Sequence, residues 1–187
     1  AYDRAILKRL RKVLDRARPG GLIDLHSNTL FSMGPANQYA EFFPYVDRLW
    51  FGEGFQYDAM PPEQWLVECS GIPFGLMGDM LEGGGNPWRG MLFGMTARPP
   101  WPKSDPRRVW RVWDDFDIGA ARMIGWWDEG CPVRTGRADV LATAYVKPDK
   151  TLIALASWAP DQTDVRLQWD WPALGLDAAR ARLVAPE

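Results

Sequence analysis

The sequence predicts an α/β part followed by a β part: the last strand-helix units of a (β/α)8-type barrel, then a small antiparallel β-sandwich-like domain. Over residues 1–125, short apolar strands alternate with helical segments, which is typical of parallel strands covered by helices. Beyond Gly125 the hydrophobic period changes to two, which is typical of antiparallel strands. We therefore expect the end of a barrel over 1–125 and a β domain, truncated at its end, over 126–187.

The composition is that of a globular protein. Hydrophobic residues make up 47% and charged residues 25% of the 187 residues, which argues against intrinsic disorder. The 22 Lys and Arg residues are balanced by 24 Asp and Glu residues, so there is no cationic field to attract a phosphate backbone. No apolar run is long enough to cross a bilayer. We expect neither a nucleic-acid partner nor a membrane span.

The first part begins with an amphipathic helix, predicted over Tyr2–Arg18 and ended by the Pro-Gly-Gly run that follows. Three strand-helix units come next. The strands are predicted at Leu22–His26, Arg48–Glu53 and Ile72–Gly78, and the helices at Gln38–Val46, Pro61–Glu68 and Pro87–Met95. Three units do not close an eight-stranded barrel. We therefore expect the chain to be a piece of a longer protein whose missing N-terminal part supplies the other units.

A fourth helix is predicted over Pro106–Phe116. The strands of the second part are predicted at Val140–Val146, Thr151–Trp158 and Val165–Trp169, the first two joined by a Lys-Pro-Asp-Lys turn. This order favours an antiparallel sheet or sandwich.

Polar side chains stand at the carboxyl ends of the three predicted parallel strands, where such folds place their working groups. Asp24 and His26 are two residues apart, so an extended strand points both to one face. Glu53 lies between two glycines, which let the backbone turn sharply and a substrate approach closely. Asp79 follows the third strand. Glu53 is the strongest single catalytic candidate.

Each of these carboxylates also has a structural interpretation. Glu53 is either catalytic or a solvated group bridged to an arginine such as Arg48 or Arg89. Asp24 and His26 either meet a ligand or hydrogen-bond backbone groups and fix the neighbouring loops. For Asp79, capping of the next turn is the stronger interpretation.

Trp88 and Arg89 follow a Gly-Gly-Gly-Asn loop, and the sequence leaves their role open. In one interpretation the indole is a stacking surface and the guanidinium binds an anion through two hydrogen bonds; in the other, both residues belong to a helix start packed on the core. The loop itself lacks the Lys and Ser/Thr of a phosphate-binding loop, so nucleotide binding has little support.

No metal site or cofactor is predicted. Cys69 and Cys131 lack the spacing of a thiolate zinc site, and one histidine is too little for another kind of metal site. Whether the two cysteines pair in a disulfide is left open by the sequence.

Several runs of this sequence resemble the C-terminal part of large bacterial glycoside-hydrolase-like proteins grouped near glycoside hydrolase family 123. The runs are DLHSN from Asp24, LWFGEGF from Leu49, SGIPFGLMG from Ser70 and GGNPWRGM from Gly84. The resemblance covers nearly the whole chain and implies a catalytic barrel followed by a C-terminal β-sandwich. It also implies a carbohydrate substrate and a secreted or periplasmic location, but it identifies no catalytic pair.

Glycosidic bonds are usually cut by two carboxyl groups, one acting as acid and the other as base or nucleophile. Asp24 and Glu53 are the candidate pair, with Glu53 as the acid because an aromatic-lined mouth would favour its neutral form by desolvation. His26 would orient sugar hydroxyls, and Trp88 would stack on a sugar face; Trp50 would either stack or point into the barrel wall.

The alternative is a non-catalytic carbohydrate-binding or structural module. Such a module would present a row of exposed tryptophans on the second part, for example Trp158, Trp169 and Trp171. An enzyme would instead bring Asp24 and Glu53 to one cleft. Whether the chain is active by itself is left open by the sequence.

Overall fold

A computed structural model describes residues 2–26, 40–50, 57–79, 86–96 and 105–185 of the chain, except for the side chains of Asp79 and Pro87. The chain forms two compact units. The first consists of residues 1–86 and 97–105, and the second of residues 87–96 and 106–187. The boundary expected at residue 125 stays a prediction.

The first unit contains a parallel sheet behind an N-terminal helix. Helix α1 spans Tyr2–Ala17, close to its predicted bounds. The strands are β1 (Asp24–His26), β2 (Arg48–Trp50) and β3 (Met77–Asp79), in the order β1-β2-β3. Both neighbouring pairs are parallel, which confirms the pairing expected from the strand-helix alternation. The described residues do not form a closed barrel.

Two predicted elements of this unit are corrected. The strand predicted over Ile72–Gly78 is a 3₁₀-helix at Ile72–Phe74, and β3 begins only at Met77. Proline at the second position of that helix and positive φ angles at Gly71 and Gly75 on either side explain the tight turn. The described part of the helix predicted over Gln38–Val46 is a turn and a 3₁₀-helix, Phe43–Tyr45.

The helix predicted before β3 is present, but it changes from an α-helix to a π-helix along its length. Helix α2 covers Pro62–Gln64 and continues as a π-helix over Trp65–Cys69. Trp65 is fully buried, and its indole Nε1 donates to the carbonyl of Tyr57 at 2.7 Å. This residue anchors the segment in the core of the unit.

The amino edge of the sheet is tied to α1 by a charged cluster. Asp47, just before β2, accepts hydrogen bonds from the Arg11 guanidinium and, at 2.7 Å, from the backbone N–H of Ile23. Arg11 also donates to the carbonyls of Tyr45 and Gly21 at 3.3 and 3.0 Å. Burial acts to raise the pKa of Asp47, but the bonds from Ile23 and Arg11 outweigh it, so this pKa lies below its ordinary value. This charged cluster therefore fixes α1 to the amino ends of the strands, opposite their carboxyl ends.

The second unit begins with helical segments and continues into antiparallel sheets. Its elements are α3 (Pro87–Gly90), a 3₁₀-helix (Met91–Phe93), α4 (Arg107–Phe116), β4 (Arg122–Ile124), β5 (Val133–Arg134), β6 (Val140–Val146), β7 (Thr151–Ser157), β8 (Gln168–Trp169) and α5 (Trp171–Leu174). One sheet has the order β4-β6-β7 and the other pairs β5 with β8, all antiparallel.

The β6-β7 hairpin was predicted correctly, whereas four other elements of the second unit are corrected. The predicted strand Val165–Trp169 shrinks to β8, and β4 and β5 were missed because two or three residues are too short to show a period. The helix predicted over Pro87–Met95 is α3 followed by a single 3₁₀ turn.

Strand β6 is covered on both faces. Ala142 and Ala144 belong to an apolar cluster with Cys131 and Val133, and their small side chains allow close approach from that side. On the other face, the hydroxyl of Thr143 donates to the carbonyl of Leu92 at 2.8 Å. The two faces of this strand therefore form the core of the second unit.

Both cysteines are buried free thiols. Burial is the main cause that raises the pKa of Cys69. Among the described residues, no helix is both long and apolar enough to cross a membrane.

Candidate active-site face

The carboxyl ends of the three parallel strands lie side by side. His26 ends β1, Trp50 ends β2 and Asp79 ends β3. His26 is the register partner of Trp50, which in turn is the register partner of Asp79. The carboxyl ends of the three described strands are therefore neighbours in the sheet.

One face of this sheet is covered and the other is open. Gly78, in the middle of β3, faces the π-helix Trp65–Cys69: a Cβ at this glycine would stand 1.9 Å from the Cys69 carbonyl oxygen. Because side chains alternate along a strand, Met77 points to the opposite face of the sheet. Arg48 is the register partner of Met77, and Asp24 is the register partner of Arg48, so all three residues lie on this second face. Met77 is 38% exposed, so this second face is open to solvent within the first unit.

An ion pair joins Asp24 and Arg48 on the open face. The guanidinium Nε donates to Oδ1 of Asp24 at 2.6 Å, and Nη2 donates to Oδ2 at 2.6 Å. This bidentate geometry is the strongest arrangement that a guanidinium and a carboxylate form. Both carboxylate oxygens of Asp24 therefore accept a hydrogen bond from the same guanidinium, which holds the carboxylate in one orientation.

His26 and Trp50 lie next to this pair, one pleat closer to the carboxyl edge. Their rings meet edge to face, with centroids 5.6 Å apart and planes at 76°. His26 is exposed and Trp50 is half-buried. Together they combine an aromatic surface with an imidazole that can donate or accept a hydrogen bond. The arrangement suits a ligand that carries both apolar faces and hydroxyl groups.

Two predicted site residues fall outside the described structure. Glu53 lies in the segment 51–56, which is not among the described residues, and so does the second half of the strand predicted over Arg48–Glu53. Asp79 is described by its backbone alone. The described part of the site is thus Asp24, His26 and Trp50, to which the structure adds Arg48.

Trp88 and Arg89 belong to the second unit. Nε and Nη2 of Arg89 donate to the carbonyl of Ser157 at 3.2 and 2.7 Å, and the guanidinium lies 4.7 Å from the centroid of the Trp158 ring. Trp88 is 40% exposed. Arg89 thus fixes α3 to the end of β7 through a carbonyl and a cation–π contact.

Arg48 is the functional candidate that sequence reasoning missed at this position. The sequence offered Arg48 only as a possible partner of Glu53, which lies outside the described residues; the structure shows Arg48 paired with Asp24. In the structure Asp24 and Arg48 are the first residues of β1 and β2, and the parallel register brings them together. The predicted strand began at Leu22, so the sequence carried no direct signal for this pairing. Among the described residues, no group of three His, Cys, Asp or Glu side chains has the geometry of a metal site.

Comparison with known families covers almost the whole chain. Residues 1–100 match the family model of the glycoside hydrolase 123 TIM-barrel domain, and residues 105–187 match that of the glycoside hydrolase 123 C-terminal domain. No curated protein and no solved structure matches the sequence significantly.

Proposed function

Since the chain belongs to glycoside hydrolase family 123, we propose that it contributes the sugar-binding and catalytic face of an enzyme that hydrolyses a poly- or oligosaccharide. The single observation that carries the proposal is the open face of the parallel sheet, with Asp24, Arg48, His26 and Trp50 on adjacent strands. In a parallel barrel this combination of charged and aromatic groups at carboxyl strand ends is characteristic of the substrate side.

The proposed reaction uses two carboxyl groups. Glu53 protonates the leaving oxygen, and Asp24 acts as the base or nucleophile on the other side of the scissile bond. The hydrogen bonds from Arg48 support this assignment for Asp24, because they occupy acceptor sites on both of its oxygens and hold it in one orientation.

The other proposed residues bind substrate. Trp50 stacks on a sugar ring, and the exposed imidazole of His26 bonds its hydroxyls, a division of tasks supported by their edge-to-face contact. We assign Asp79, Trp88 and Arg89 to substrate binding as well, from their positions in the sequence.

We further propose that additional strand-helix units of the same protein, N-terminal to this chain, complete the barrel. Helix α1 has no buried residue, and Ile6, Leu10 and Val13 form an apolar stripe on it that is 53%, 47% and 57% exposed. In the described residues, β1 and β3 each pair with β2 alone, so each has an open edge. Apolar helix stripes and open parallel edges are normally covered within a barrel. The second unit is proposed to be the small β-sandwich that follows it.

Cysteine labelling tests this completion. Val13→Cys is expected to react quickly with a thiol reagent in the 187-residue chain and slowly in a longer protein that carries the whole barrel. Lys12→Cys, on the exposed side of α1, is the control and should react quickly in both. Equal rates at position 13 in the two proteins contradict the proposal.

The catalytic proposal is tested in the protein with the complete barrel. Glu53→Gln and Asp24→Asn are each expected to lower kcat by about 10²–10⁴-fold while substrate binding is kept. The matched control is Asp139→Asn in the second unit, because Asp139 forms the same bidentate pair with Arg137, at 2.8 and 2.7 Å. Unchanged kcat in Asp24→Asn removes Asp24 from the mechanism.

A specific observation favours one second candidate. If the pair with Arg48 only holds β1 and β2 together, the chain is part of a non-catalytic carbohydrate-binding or structural module. In that case Asp24→Asn and Arg48→Gln lose stability by similar amounts and neither affects a reaction. No turnover by the wild-type protein on any glycoside substrate would favour this candidate.

A further inference from the structure

A cavity of about 510 Å³ lies in the second unit, and all the residues that line it belong to that unit. It is bounded by the start of β7 on one side and by β8, α5 and the segment that follows α5 on the other. The volume falls within the range of small-molecule sites, roughly 300–1,000 Å³. From the groups that line this cavity, we propose that it is a separate carbohydrate-binding site.

Two tryptophans form one wall of the cavity. The rings of Trp169 and Trp171 are stacked, with centroids 5.3 Å apart and planes at 22°. Trp169 packs against the apolar core cluster of this unit, and its backbone pairs with Val133 in β5. The core therefore fixes Trp169, and Trp169 supports Trp171.

The short helix α5 fixes the second tryptophan. Asp170 precedes this helix, and its Oδ1 accepts a hydrogen bond from the backbone N–H of Ala173 at 3.0 Å. Leu174, at the end of the helix, is only 1% exposed and anchors it. Trp171 is thus held by a capped and anchored turn, so the aromatic wall is preorganised for stacking.

The rest of the lining is polar and of both signs. Two anionic side chains, Asp149 and Asp177, and three cationic ones, Lys150, Arg180 and Arg182, line the cavity. None of the five forms an ion pair in the described part of the chain. Thr151 also lines it, and its Oγ1 is buried without a hydrogen-bond partner among the described residues. A buried hydroxyl without a partner costs free energy that a ligand hydroxyl would recover.

These groups select the ligand by its chemistry. An apolar ligand would bury Thr151 and the charged side chains without satisfying them. A phosphate or polyanion would pair with the cationic side chains, but it would also face the like charge of Asp149 and Asp177, which a neutral sugar does not. A sugar ring offers an apolar face for the indoles and hydroxyls that both donate to carboxylates and accept from a guanidinium. For the ligand class the inference rests on the proposed function, whereas the site itself rests on the cavity and its lining.

Titration of the 187-residue chain with sugars tests the proposal. The probes are glucose, galactose, their N-acetylated 2-amino forms and β-linked glucose disaccharides, followed by the indole N–H resonances in NMR spectra. We expect at least one of them to shift the resonances of Trp169 and Trp171. Trp171→Ala should weaken binding about tenfold or more, since it removes the outer stacking surface.

Trp158→Ala is the matched control, because Trp158 lies in the same unit and does not line the cavity. It should leave the dissociation constant within about twofold of the wild type. If Trp171→Ala disturbs folding, Arg180→Gln at the exposed edge of the cavity replaces it and should weaken binding about threefold. Absence of any indole shift, or equal losses in Trp158→Ala and the cavity variant, overturns the proposal.

The same data separate this inference from the proposed enzyme. Sugar-dependent shifts of Trp169 and Trp171 without turnover by the complete barrel would support the second site and contradict the hydrolase. Turnover by the complete barrel without any shift of these indole resonances would support the hydrolase and contradict the second site.

Discussion

Asp24 and Arg48 are register partners on neighbouring parallel strands, and their side chains meet in a two-bonded ion pair on the open face of the sheet. The pair couples two strands that are only three residues long each. It also holds the one described carboxylate of the proposed catalytic pair in a single orientation. In the proposed reaction this geometry makes Arg48 a positioning residue, since it would act on the chemistry only through Asp24.

The first prediction concerns that positioning. Arg48→Gln should lower kcat of the complete enzyme about tenfold or more, because a small displacement of a reacting group costs a large part of the rate. Arg48→Lys keeps the charge but loses the second hydrogen bond, so it should recover only part of the rate. Steady-state kinetics and thermal unfolding of both variants provide the measurements.

Arg137→Gln is the control for this experiment, because Arg137 forms an equivalent pair with Asp139 in the second unit. Its kcat should equal that of the wild type. Exposed pairs are worth about 0–1 kcal/mol, so all three variants should remain folded. If Arg48→Gln retains full activity, Arg48 has no positioning role.

The second prediction concerns the close approach at Gly78. Gly78→Ala should destabilise the first unit by roughly 1–3 kcal/mol, because the new Cβ would overlap the carbonyl oxygen of Cys69 and force the backbone apart. Hydrogen exchange of the Leu49 amide, in the neighbouring strand, measures the loss. Gly119→Ala is the control: a Cβ there meets nothing within 4 Å, and the change should stay within about 0.5 kcal/mol. Equal protection in Gly78→Ala and the wild type would contradict the packing described here.

These residues show what the sequence can and cannot predict. The alternation of short strands and helices predicted the parallel sheet, because hydrophobic periodicity and flanking polar residues are local properties. The sequence also indicated that polar groups follow the strands. It did not predict that β3 starts at Met77, where the backbone N–H donates to the carbonyl of Asp47 at 3.1 Å, because that contact forms only when the strands dock.

The partner of Asp24 illustrates the same limit. Strand register decides that Arg48 stands opposite Asp24, and register depends on how the two strands dock. The tie between Arg11 and Asp47 is likewise set by tertiary docking, because α1 must first lie against the amino edge of the sheet. The candidate residues were thus identifiable by type and position along the chain, whereas their partners were not.

The third prediction concerns pH. The pKa of Asp47 is lowered in the folded state, so its carboxylate stabilises the protein at neutral pH. This contribution is present above the unfolded value, about 3.9, and is lost as the pH falls through the lower folded value. The stability difference between the wild type and Asp47→Asn should therefore shrink as the solution is acidified from pH 7.

Chemical unfolding over this pH range measures the effect. Asp15→Asn is the control, because Asp15 contacts the same arginine at 3.4 Å but is 55% exposed. It should change stability little at any pH. If the difference in unfolding free energy between Asp47→Asn and the wild type stays constant down to the lowest pH measured, protonation of Asp47 does not affect the stability of the protein.

The fourth prediction concerns the buried hydroxyl of Thr143 in β6. Thr143 is fully buried; its Oγ1 donates to the carbonyl of Leu92 at 2.8 Å and accepts from the backbone N–H of Trp126 at 3.3 Å. Thr143→Val keeps the shape but leaves both backbone groups without this partner, so it should cost roughly 1–3 kcal/mol of unfolding free energy.

Thr151→Val is the control for Thr143→Val. Thr151 lies in the neighbouring strand β7, and its hydroxyl has no hydrogen-bond partner among the described residues. Removing a hydroxyl that makes no bond relieves a desolvation cost, so this variant should be neutral or slightly more stable than the wild type. Calorimetric unfolding of the two variants compares the same chemical change with and without a bonded hydroxyl. Equal stabilities of the two variants would mean that the bonds to Leu92 and Trp126 do not stabilise the link between β6 and the segments packed on it.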